Sequence, residues 1–576
     1  MSQHGIPRPE YPRPQMARKD WINLNGPWQF EIDHGKSGRE RGLPEEAQLS
    51  GAITVPFCPE SRLSGVGHTD FMASVWYKRQ FELPEDWSGS HVLLHFGAVD
   101  YDTEVWVNGA SAGKHRGGYS SFCFDITSRL RRGLNTLTVC AEDDVRSGLQ
   151  PRGKQSGQYH SHACDYTRTT GIWQTVWLER VPQTYIRSVR ITPDAHNGCV
   201  LIEANLSGYV SGELSAEASF GGASMGSNSA KVSGRAAALT VKLKESRLWA
   251  PGSPNLYDLK LSLRQNRAEL DGVDSYFGLR SLSWDGTAMV LNGKPVFQRL
   301  ILDQGFYPDG IYTAPTDGDL KRDIELSMAM GFNGARLHQK IFEERFLYWA
   351  DRLGYLVWGE HASWGLDISG PTGLERFLPE WLETLERDYS HPSIVGWCPF
   401  NETNPSQDGA VLSAVYAATK QIDRTRPVID ASGYVHVVTD IYDVHDYDQD
   451  PGTFAARYAP MTTGGPVYQN FPIYENYEGQ PYFVSEYGGI WWNPGQAEGD
   501  GAWGYGNRPR SEQDFLTRYE GLTTALLDNP KVCAFCYTQL TDVEQEVNGL
   551  HTYDRRPKFD PEIIRRINTK RAAIEK

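Results

Sequence analysis

The period of the apolar residues changes once along this chain, and that change limits the possible folds more than any other feature. As far as about residue 280, apolar side chains alternate with polar ones in short runs, for example at 92–96. A period of two is typical of β-strands that bury one face. After Trp284 the spacing becomes helical, as at Leu320 and Ile324, and strand-like runs follow each helical run. The sequence therefore predicts β-sandwiches followed by an α/β unit.

The alternating part is long enough for two sandwiches. Residues 1–182 contain alternating runs at 92–96 and 105–107, the second of which enters an Asn108-Gly109 turn, and they predict a jelly-roll β-sandwich. Residues 183–282 predict an immunoglobulin-like β-sandwich. We expect its strands at 189–191, 201–206, 239–243 and 259–263, with a Gly/Ser/Ala-rich stretch at 220–237 separating two of them.

Residues 283–576 alternate between strand-like and helical runs. A helix is expected to begin with Thr316 or Asp317 as its N-cap and to stop at Gly331, and another is expected to end at Gly354. The predicted strands lie at 296–301, 332–337, 355–358, 394–400, 428–431, 441–444, 482–484 and 532–535. Eight strands that alternate with helices predict a closed (β/α)8 TIM barrel.

Composition and charge exclude several classes of function. The 576 residues carry a net charge of −15 without a basic run, so we expect no nucleic-acid partner and no binding to anionic membranes. The N-terminal segment lacks the apolar core of a signal peptide, and the eight cysteines have no regular spacing, which together predict a cytoplasmic protein. His160, His162 and Cys164 are metal-ligand types without a second cluster, so neither a metal nor another cofactor is expected.

Two carboxylates directly follow predicted barrel strands, at the end of the barrel where active sites lie. Glu402 follows the fourth strand and Glu486 follows the seventh. Glycoside hydrolysis needs one carboxylic acid to protonate the leaving oxygen and one carboxylate at the anomeric carbon. A barrel-loop glutamate can also merely cap a helix or pair with arginine, but both residues lie in settings rich in glycine and aromatic residues, where burial raises a carboxyl pKa. The pair predicts a retaining glycosidase.

Short segments along nearly the whole chain resemble glycoside hydrolase family 2, which contains β-galactosidases, β-glucuronidases and β-mannosidases. The segments are Trp-Ile-Asn-Leu-Asn-Gly-Pro-Trp at 21–28, Val-Trp-Val-Asn-Gly at 105–109, Gly-Tyr-Ser-Ser-Phe at 118–122, Leu-Asn-Gly-Lys-Pro at 291–295, Gly-Phe-Asn-Gly-Ala-Arg at 331–336 and His-Pro-Ser-Ile at 391–394. The Asn401-Glu402 pair is the most specific element of the resemblance. The order of the three predicted domains is also that of the family.

The resemblance implies a role for each residue that matches the family pattern. Glu402 is expected to be the acid/base and Glu486 the nucleophile. Asn401 is expected to donate a hydrogen bond to the 2-hydroxyl of the sugar, and Tyr447 to bond the nucleophile. Arg336 is expected to keep the nucleophile ionised, although a purely structural ion pair is the alternative.

Other polar and aromatic residues at predicted strand ends are weaker candidates for sugar binding. Each is expected either to contact sugar hydroxyls or to orient a neighbour. The polar set is His338, His445, Asp303, Glu360 and His361. One of four tryptophans in the loops after strands three and seven is expected to stack on the sugar, and rim packing is the alternative: Trp364, Trp491, Trp492 and Trp503.

The predicted substrate is a terminal β-linked galactoside, either a pyranoside or a furanoside, in a glycoside or oligosaccharide. No counterpart is evident for the Asn-x-Lys element with which family glucuronidases recognise a sugar carboxylate, although Lys340 leaves an anionic sugar open. The alternatives are β-glucuronidase or arabinosidase activity, transglycosylation, and a catalytically silent carbohydrate-binding protein. Homo-oligomers are common in the family, and one is possible here.

Overall fold

A computed structural model describes residues 5–45, 48–495 and 501–576. The first part of the chain is a jelly-roll sandwich with two main antiparallel sheets, in the orders β1-β12-β5-β9 and β3-β2-β4-β10-β7-β8. Its strands are β1 (Trp21–Asn23), β2 (Gly26–Ile32), β3 (Gly51–Val55), β4 (Ser74–Phe81), β5 (His91–Phe96), β6 (Val99–Asp100), β7 (Asp102–Val107), β8 (Ala110–Arg116), β9 (Phe122–Asp125), β10 (Asn135–Glu142), β11 (Gly171–Ile172) and β12 (Val176–Val181).

The alternating pattern of this domain places one face of each main strand in the core. Leu94, Val105 and Val139 are fully buried between the sheets. The predicted Asn108-Gly109 turn joins β7 to β8, and both residues have positive φ, 53° and 81°, as a two-residue hairpin turn requires.

The second part is an immunoglobulin-like sandwich built around one long strand. Its strands are β13 (Ile186–Asp194), β14 (Cys199–Phe220), β15 (Ala223–Lys242), β16 (Trp249–Ala250), β17 (Ser253–Pro254), β18 (Tyr257–Gln265) and β19 (Ala268–Phe277). The first half of β14 pairs with β13 and the second half with β18, and the register shifts between Asn205 and Val210. Apolar side chains from both halves of β14 lie in one hydrophobic core.

One expectation about this domain is wrong. The Gly/Ser/Ala-rich stretch at 220–237 is not a separator, because β15 runs through most of it, paired with β14. Its small and polar residues carry almost no alternating apolar signal, and Val232 is its main buried anchor. Pairing with β14 therefore determines its conformation, which local propensity does not predict.

The third part is a (β/α)8 barrel, and a small three-stranded sheet, β20 to β22, precedes it. The strands are β20 (Leu282–Asp285), β21 (Ala288–Leu291), β22 (Lys294–Val296), β23 (Gln298–Asp303), β24 (Gly334–Leu337), β25 (Leu356–Glu360), β26 (Ile394–Cys398), β27 (Phe400–Asn401), β28 (Ala431–Ser432), β29 (Tyr442–Asp446), β30 (Tyr482–Gly488) and β31 (Val532–Thr538). The helices are α1 (Asp317–Ala329), α2 (Glu344–Leu353), α3 (Pro371–Asp388), α4 (Gly409–Ile422), α5 (Pro451–Tyr458), α6 (Glu512–Leu527) and α7 (Pro561–Asn568).

Parallel pairing runs through the barrel in the order β26-β25-β24-β23-β31-β30-β29. The first barrel strand, β23, pairs with both β24 and β31, and β27, which follows β26, pairs with β28. Thr316 caps α1, and Gly354 ends α2 in the left-handed region with φ 73°, as the sequence predicts.

The fifth barrel strand departs from the expectation at 428–431. It is the two-residue β28, and Val428 makes only an isolated bridge to Trp397. The Asp430 carboxylate accepts the backbone N–H groups of Ala431, Val437 and Val438, so it holds the chain in a loop. Within the described ranges, no α-helix lies between β28 and β29. The domain limits 1–182, 183–282 and 283–576 remain our proposal.

Candidate active site

The predicted functional side chains meet at the C-terminal ends of the parallel barrel strands. Arg336 lies on β24, Glu360 ends β25, Asn401 ends β27, and Glu486 lies on β30. Glu402 directly follows β27. The same end of a parallel barrel collects side chains that are distant in sequence.

The two carboxylates lie close together. One ligand atom each from Glu402, His445 and Glu486 all fall within 4.8 Å of one another. Retaining glycosidases hold their two carboxyl groups about 5–5.5 Å apart, whereas inverting enzymes need about 6.5–9.5 Å to admit a water. The separation therefore suits attack by a carboxylate on a sugar more than attack by water.

The backbone at Glu402 is in a conformation that non-glycine residues seldom adopt. Its φ is 49°, and its N–H donates to Ser432 O at 2.8 Å. A residue held in the left-handed region is strained and is often found at a functional site. This conformation ends the strand and places the half-buried Glu402 side chain beside His445.

Glu486 accepts hydrogen bonds on both carboxylate oxygens. Arg336 Nη1 donates to Oε1 at 2.8 Å, and the Tyr447 hydroxyl donates to Oε2. Burial opposes ionisation, but His445 and Arg336, together with the bond from Tyr447, outweigh it and lower the pKa of Glu486 to about 2. Glu486 is thus an ionised carboxylate at neutral pH, as a nucleophile must be.

Arg336 connects three members of the site. Its guanidinium donates to Glu360 at 2.6 Å, to Glu486, and to the side-chain oxygen of Asn401. The bond to Asn401 leaves the amide nitrogen facing away from the arginine. That buried nitrogen has no hydrogen-bond partner among the described residues. An unused buried donor is costly unless a ligand satisfies it, so it suits a sugar hydroxyl.

His445 lies between the two carboxylates. Its Nδ1 is 2.8 Å from Glu402 Oε1, and its Nε2 is 3.4 Å from Glu486 Oε1 and 3.1 Å from the Ser432 hydroxyl. Burial lowers the pKa of His445, but Glu486 and Glu402 outweigh burial, so the pKa is raised. The ring therefore fixes the position of Glu402 relative to Glu486.

Glu360 and His361 are adjacent in sequence but face opposite sides of the barrel wall. Glu360 faces the cleft, where it accepts from Arg336 and lies 2.9 Å from His338 Nδ1. Burial and the cations Lys154 and Arg336 hold the pKa of His338 well below its usual range, so this ring is neutral. His361 lies against Phe377 on α3 instead. Alternation along β25 explains the split.

Asp303 and Lys340 lie apart from the carboxylate pair. The Asp303 carboxylate accepts from Gly305 N at 2.9 Å, and burial raises its pKa to about 7. The Lys340 ammonium donates to the carbonyl oxygens of Gly305 and Tyr312, and burial lowers its pKa to about 7. Both side chains therefore have partners within the protein, and a sugar contact by Asp303 stays a prediction.

The four candidate tryptophans occupy different environments. Trp492 is buried and packs against Phe515, so it belongs to the core. Trp503 donates to the carbonyl of Ala163 in the jelly roll, at 2.5 Å. Trp491 is half-buried in the loop after β30. Trp364 is half-buried beside Asn401, to whose carbonyl its indole donates at 3.3 Å, and stacking of a tryptophan on the sugar stays a prediction.

Sequence reasoning missed three residues of this site. Lys154 comes from the jelly roll, Glu546 follows β31, and Tyr505 stacks on Tyr447 with ring centroids 3.5 Å apart. None of them directly follows a predicted strand, so the rule that found Glu402 does not reach them. The segment 160–164, which we discount as a metal motif, contacts the loop after β31, because Gln545 donates to the carbonyl of Ala163.

Glu402, His445 and Glu486 are also the group of described residues whose atoms are close enough to hold a metal ion. Both oxygens of Glu486 already accept hydrogen bonds, one of them from a guanidinium. A cation beside Arg336 would be repelled. The donor set therefore fits a hydrogen-bonded acid pair better than a metal centre.

Comparison with known proteins gives the family. The chain matches the models of the glycosyl hydrolases family 2 sugar-binding domain at 22–182, of glycosyl hydrolases family 2 at 184–280, and of the family 2 TIM barrel domain at 313–569. The chain belongs to glycoside hydrolase family 2. The predicted jelly roll, immunoglobulin-like domain and barrel are confirmed.

Several relatives carry names of glycosidases. A β-glucuronidase from Paenibacillus borealis is 23% identical over 96% of this chain and 98% of its own length. A β-galactosidase from Thermoanaerobacter pseudethanolicus is 26% identical over 62% of this chain. The chain spans 48% of the length of that β-galactosidase and 38% of a putative β-glucuronidase from Formosa agariphila. The structure of a β-glucuronidase from Ruminococcus gnavus in complex with D-glucuronic acid shares the fold, with TM-score 0.81, 18% identity and coverage of 96% and 99%.

Family membership makes the protein a glycosidase. Among the residues that the structure describes, no helix has the length and apolar character to cross a membrane.

Proposed function

We propose that the protein is a retaining exo-glycosidase that releases terminal β-linked galactose by double displacement. The observation that carries this proposal is the proximity of Glu402 and Glu486, whose carboxylate oxygens come within 4.8 Å. The ionised state of Glu486 supports its role as nucleophile, since burial alone would leave it neutral.

The first displacement forms an ester. A Glu486 oxygen attacks the anomeric carbon while the glycosidic C–O bond breaks, and Glu402 gives its proton to the departing oxygen. The free amide N–H of Asn401 donates to the sugar 2-hydroxyl, and this bond strengthens as positive charge develops on the ring. Arg336 and Tyr447 keep the attacking carboxylate oriented.

The second displacement releases the sugar. Glu402, now a carboxylate, takes a proton from a water, and the water oxygen attacks the anomeric carbon. The ester bond to Glu486 then breaks and the carboxylate is restored. Two inversions at one carbon give net retention.

The charge around the pocket favours a neutral sugar. Glu546 is buried, which raises its pKa, whereas the charge of Lys154 and the hydrogen bonds that its oxygens accept from Tyr166 at 2.5 Å and from Asn548 at 2.9 Å favour the ionised form. The negative charge of Glu486 also raises the pKa of Glu546. A uronic acid carboxylate would meet repulsion from both, and such a repulsive element excludes wrong substrates.

A β-glucuronide is the second candidate, and the names of the relatives favour it. A cytoplasmic location, a possible homo-oligomer and the absence of nucleic-acid and membrane partners remain predictions from the sequence. Arabinoside hydrolysis and transglycosylation are alternatives that the same intermediate permits.

A panel of nitrophenyl glycosides tests the proposal. The panel holds β-galactopyranoside, β-galactofuranoside, α-arabinofuranoside and β-glucuronide, each with wild type, Glu486→Gln and the exposed control Glu478→Gln. We expect a galactoside to give the highest kcat/KM, Glu486→Gln to lose turnover, and Glu478→Gln to match wild type. Preference for the glucuronide would refute the sugar assignment, and unchanged turnover by Glu486→Gln would refute the mechanism.

A further inference from the structure

A lysine from the jelly roll reaches the active site of the barrel. Lys154 is 6% exposed, and its ammonium lies 4.2 Å from the centre of the Trp364 ring. Trp364 in turn contacts Asn401, the residue before the acid/base. Lys154 is therefore next to the catalytic pocket although it lies more than two hundred positions earlier in the chain.

The loop that carries Lys154 is held firmly against the barrel. The N–H groups of Arg152 and Gly153 donate to Trp364 O at 2.8 and 3.2 Å. Gly153 has φ 58°, and a Cβ there would lie 2.4 Å from Gln339 O, so only glycine allows this approach. On the other side of Lys154, Gln545 Nε2 donates to Ala163 O at 2.7 Å. These contacts with three barrel loops make the position of Lys154 part of the rigid site.

The ammonium of Lys154 has unused hydrogen-bonding capacity. Among the residues 5–45, 48–495 and 501–576, its one contact is with the Trp364 ring, and it forms no hydrogen bond and no ion pair. Burying a cation without hydrogen bonds is costly. Hydrogen bonds from this ammonium to a bound ligand would offset that free energy.

The surrounding negative charges keep the Lys154 amine protonated, although none of those in the described part of the chain forms an ion pair with it. Burial lowers the pKa of Lys154, but Cys164, Glu546 and Glu486 outweigh burial and raise it, so the group stays charged. Its charge also depresses the pKa of His338, which lies within 4.0 Å of Glu486. Lys154 thus lies close to the nucleophile side of the pocket, where the terminal sugar would bind.

Resting on the proposed function, we infer that Lys154 determines sugar specificity by donating hydrogen bonds to one or more hydroxyl groups of the terminal sugar. The Trp364 ring contacts the ammonium from one side. Glu546, whose oxygens are already occupied, balances its charge from a distance. Lys154 thereby offers hydrogen-bond donors to a neutral sugar. Because Glu546 offsets the charge of Lys154, the two together present no net positive charge to a sugar carboxylate. In this arrangement the jelly roll supplies a substrate contact that the barrel lacks.

The test compares Lys154→Met with wild type. Methionine keeps an unbranched side chain beside Trp364 but removes the charge and the donors. The matched control is Lys114→Met, on exposed strand β8 of the same domain. The substrates are the nitrophenyl galactoside selected by the panel and its 3-, 4- and 6-deoxy analogues, where the ring form has these hydroxyls. Thermal melting of each variant checks folding.

We expect Lys154→Met to lower kcat/KM for the parent galactoside about 10- to 100-fold, the range of a hydrogen bond to a charged group. One deoxy analogue should lose a similar factor with wild type and lose nothing further with Lys154→Met. If Lys154 were purely structural, Lys154→Met would instead lower kcat/KM by the same factor for the parent substrate and for every deoxy analogue. That uniform loss, or a change below twofold, would overturn the inference.

Two further results keep the test decisive. If Lys154→Met does not fold, Lys154→Arg keeps the charge and displaces the donors, and it must show the same selective pattern for the inference to stand. A loss confined to the glucuronide would mean that Lys154 reads a carboxylate, which contradicts a hydroxyl contact. If wild type cleaves no glycoside at all, the proposed function fails. If wild type is active and both lysine variants match it, only this inference fails.

Discussion

Tyr447 offers a direct test of how the site keeps its nucleophile ionised. Its hydroxyl donates to Glu486 Oε2 and also lies 3.1 Å from the Thr538 hydroxyl. Its ring stacks on Tyr505 with an interplanar angle of 3°. Tyr447→Phe removes the hydroxyl and keeps the stacked ring, so the loss of one bond to the carboxylate is isolated.

The size of the effect follows from the chemistry of that bond. A hydrogen bond to a charged group contributes about 1.5–3 kcal/mol, and a shift of one pKa unit corresponds to about 1.4 kcal/mol. The pKa of Glu486, about 2 in the intact site, should therefore rise by roughly one to two units in the variant. The nucleophile works only when ionised, so activity is lost as pH falls through this pKa.

The assay is the pH dependence of kcat/KM, which reports groups of the free enzyme. We expect Tyr447→Phe to lose activity on its acid limb at about pH 3–4, where wild type remains active. The control is Tyr519→Phe, which removes another buried hydroxyl bond, to Asn568 at 2.7 Å, on the outer side of the barrel. An acid limb that does not move in Tyr447→Phe, or that moves equally in Tyr519→Phe, would refute the reasoning.

Three other substitutions probe the acid, the ion pair and the core. Glu402→Gln should slow hydrolysis of alkyl glycosides about 100-fold or more while sparing substrates with activated leaving groups, which need no proton; equal losses for both would argue against the acid role. Glu360→Gln removes one of the two carboxylates that pair with Arg336, the one at 2.6 Å, and should cost about 1.5–3 kcal/mol of the free energy of unfolding, measured by denaturant titration against wild type. Leu300→Ala, at a fully buried position of the barrel interior, should cost about 2–5 kcal/mol; a loss below 1 kcal/mol would show that the interior is loosely packed.

The stability that Glu486 contributes has a defined pH dependence. Its folded pKa is lowered, to about 2, from a value near 4.5 in the unfolded chain. The ionised carboxylate therefore stabilises the fold above about pH 4.5, and this contribution is lost as pH falls towards 2. A charge change at the active site is thus linked to acid unfolding.

Much of the fold follows from the periodicity of the sequence. Strands such as β5 and β24 and the ends of α1 and α2 carry their own signals, in alternation, caps and glycines. Strands β15 and β28 do not. The first consists of small residues that only β14 places in register, and the second is shortened by the side chain of Asp430. Long-range pairing determines both, and no local pattern encodes it.

The site divides in the same way. Glu402 and Glu486 directly follow barrel strands, so the topology alone predicts that they share one end of the barrel. Asp303 also lies at a strand end, yet its contacts turn it towards Gly305. Lys154 reaches the pocket because the jelly roll packs against the barrel. Predicting this contact would require the conformations of loops, which the apolar period does not give. Sequence reasoning thus finds side chains at strand ends more easily than side chains that reach the pocket from another domain.

The covalent intermediate is the most direct test of the proposed chemistry. A 2-deoxy-2-fluoro galactoside with a good leaving group slows the second displacement, so that the sugar ester accumulates. Mass spectrometry of proteolytic peptides should then find one sugar, attached to the carboxylate of Glu486. A sugar on another residue, or rapid turnover of the parent substrate that gives the inverted anomer by NMR, would contradict the account.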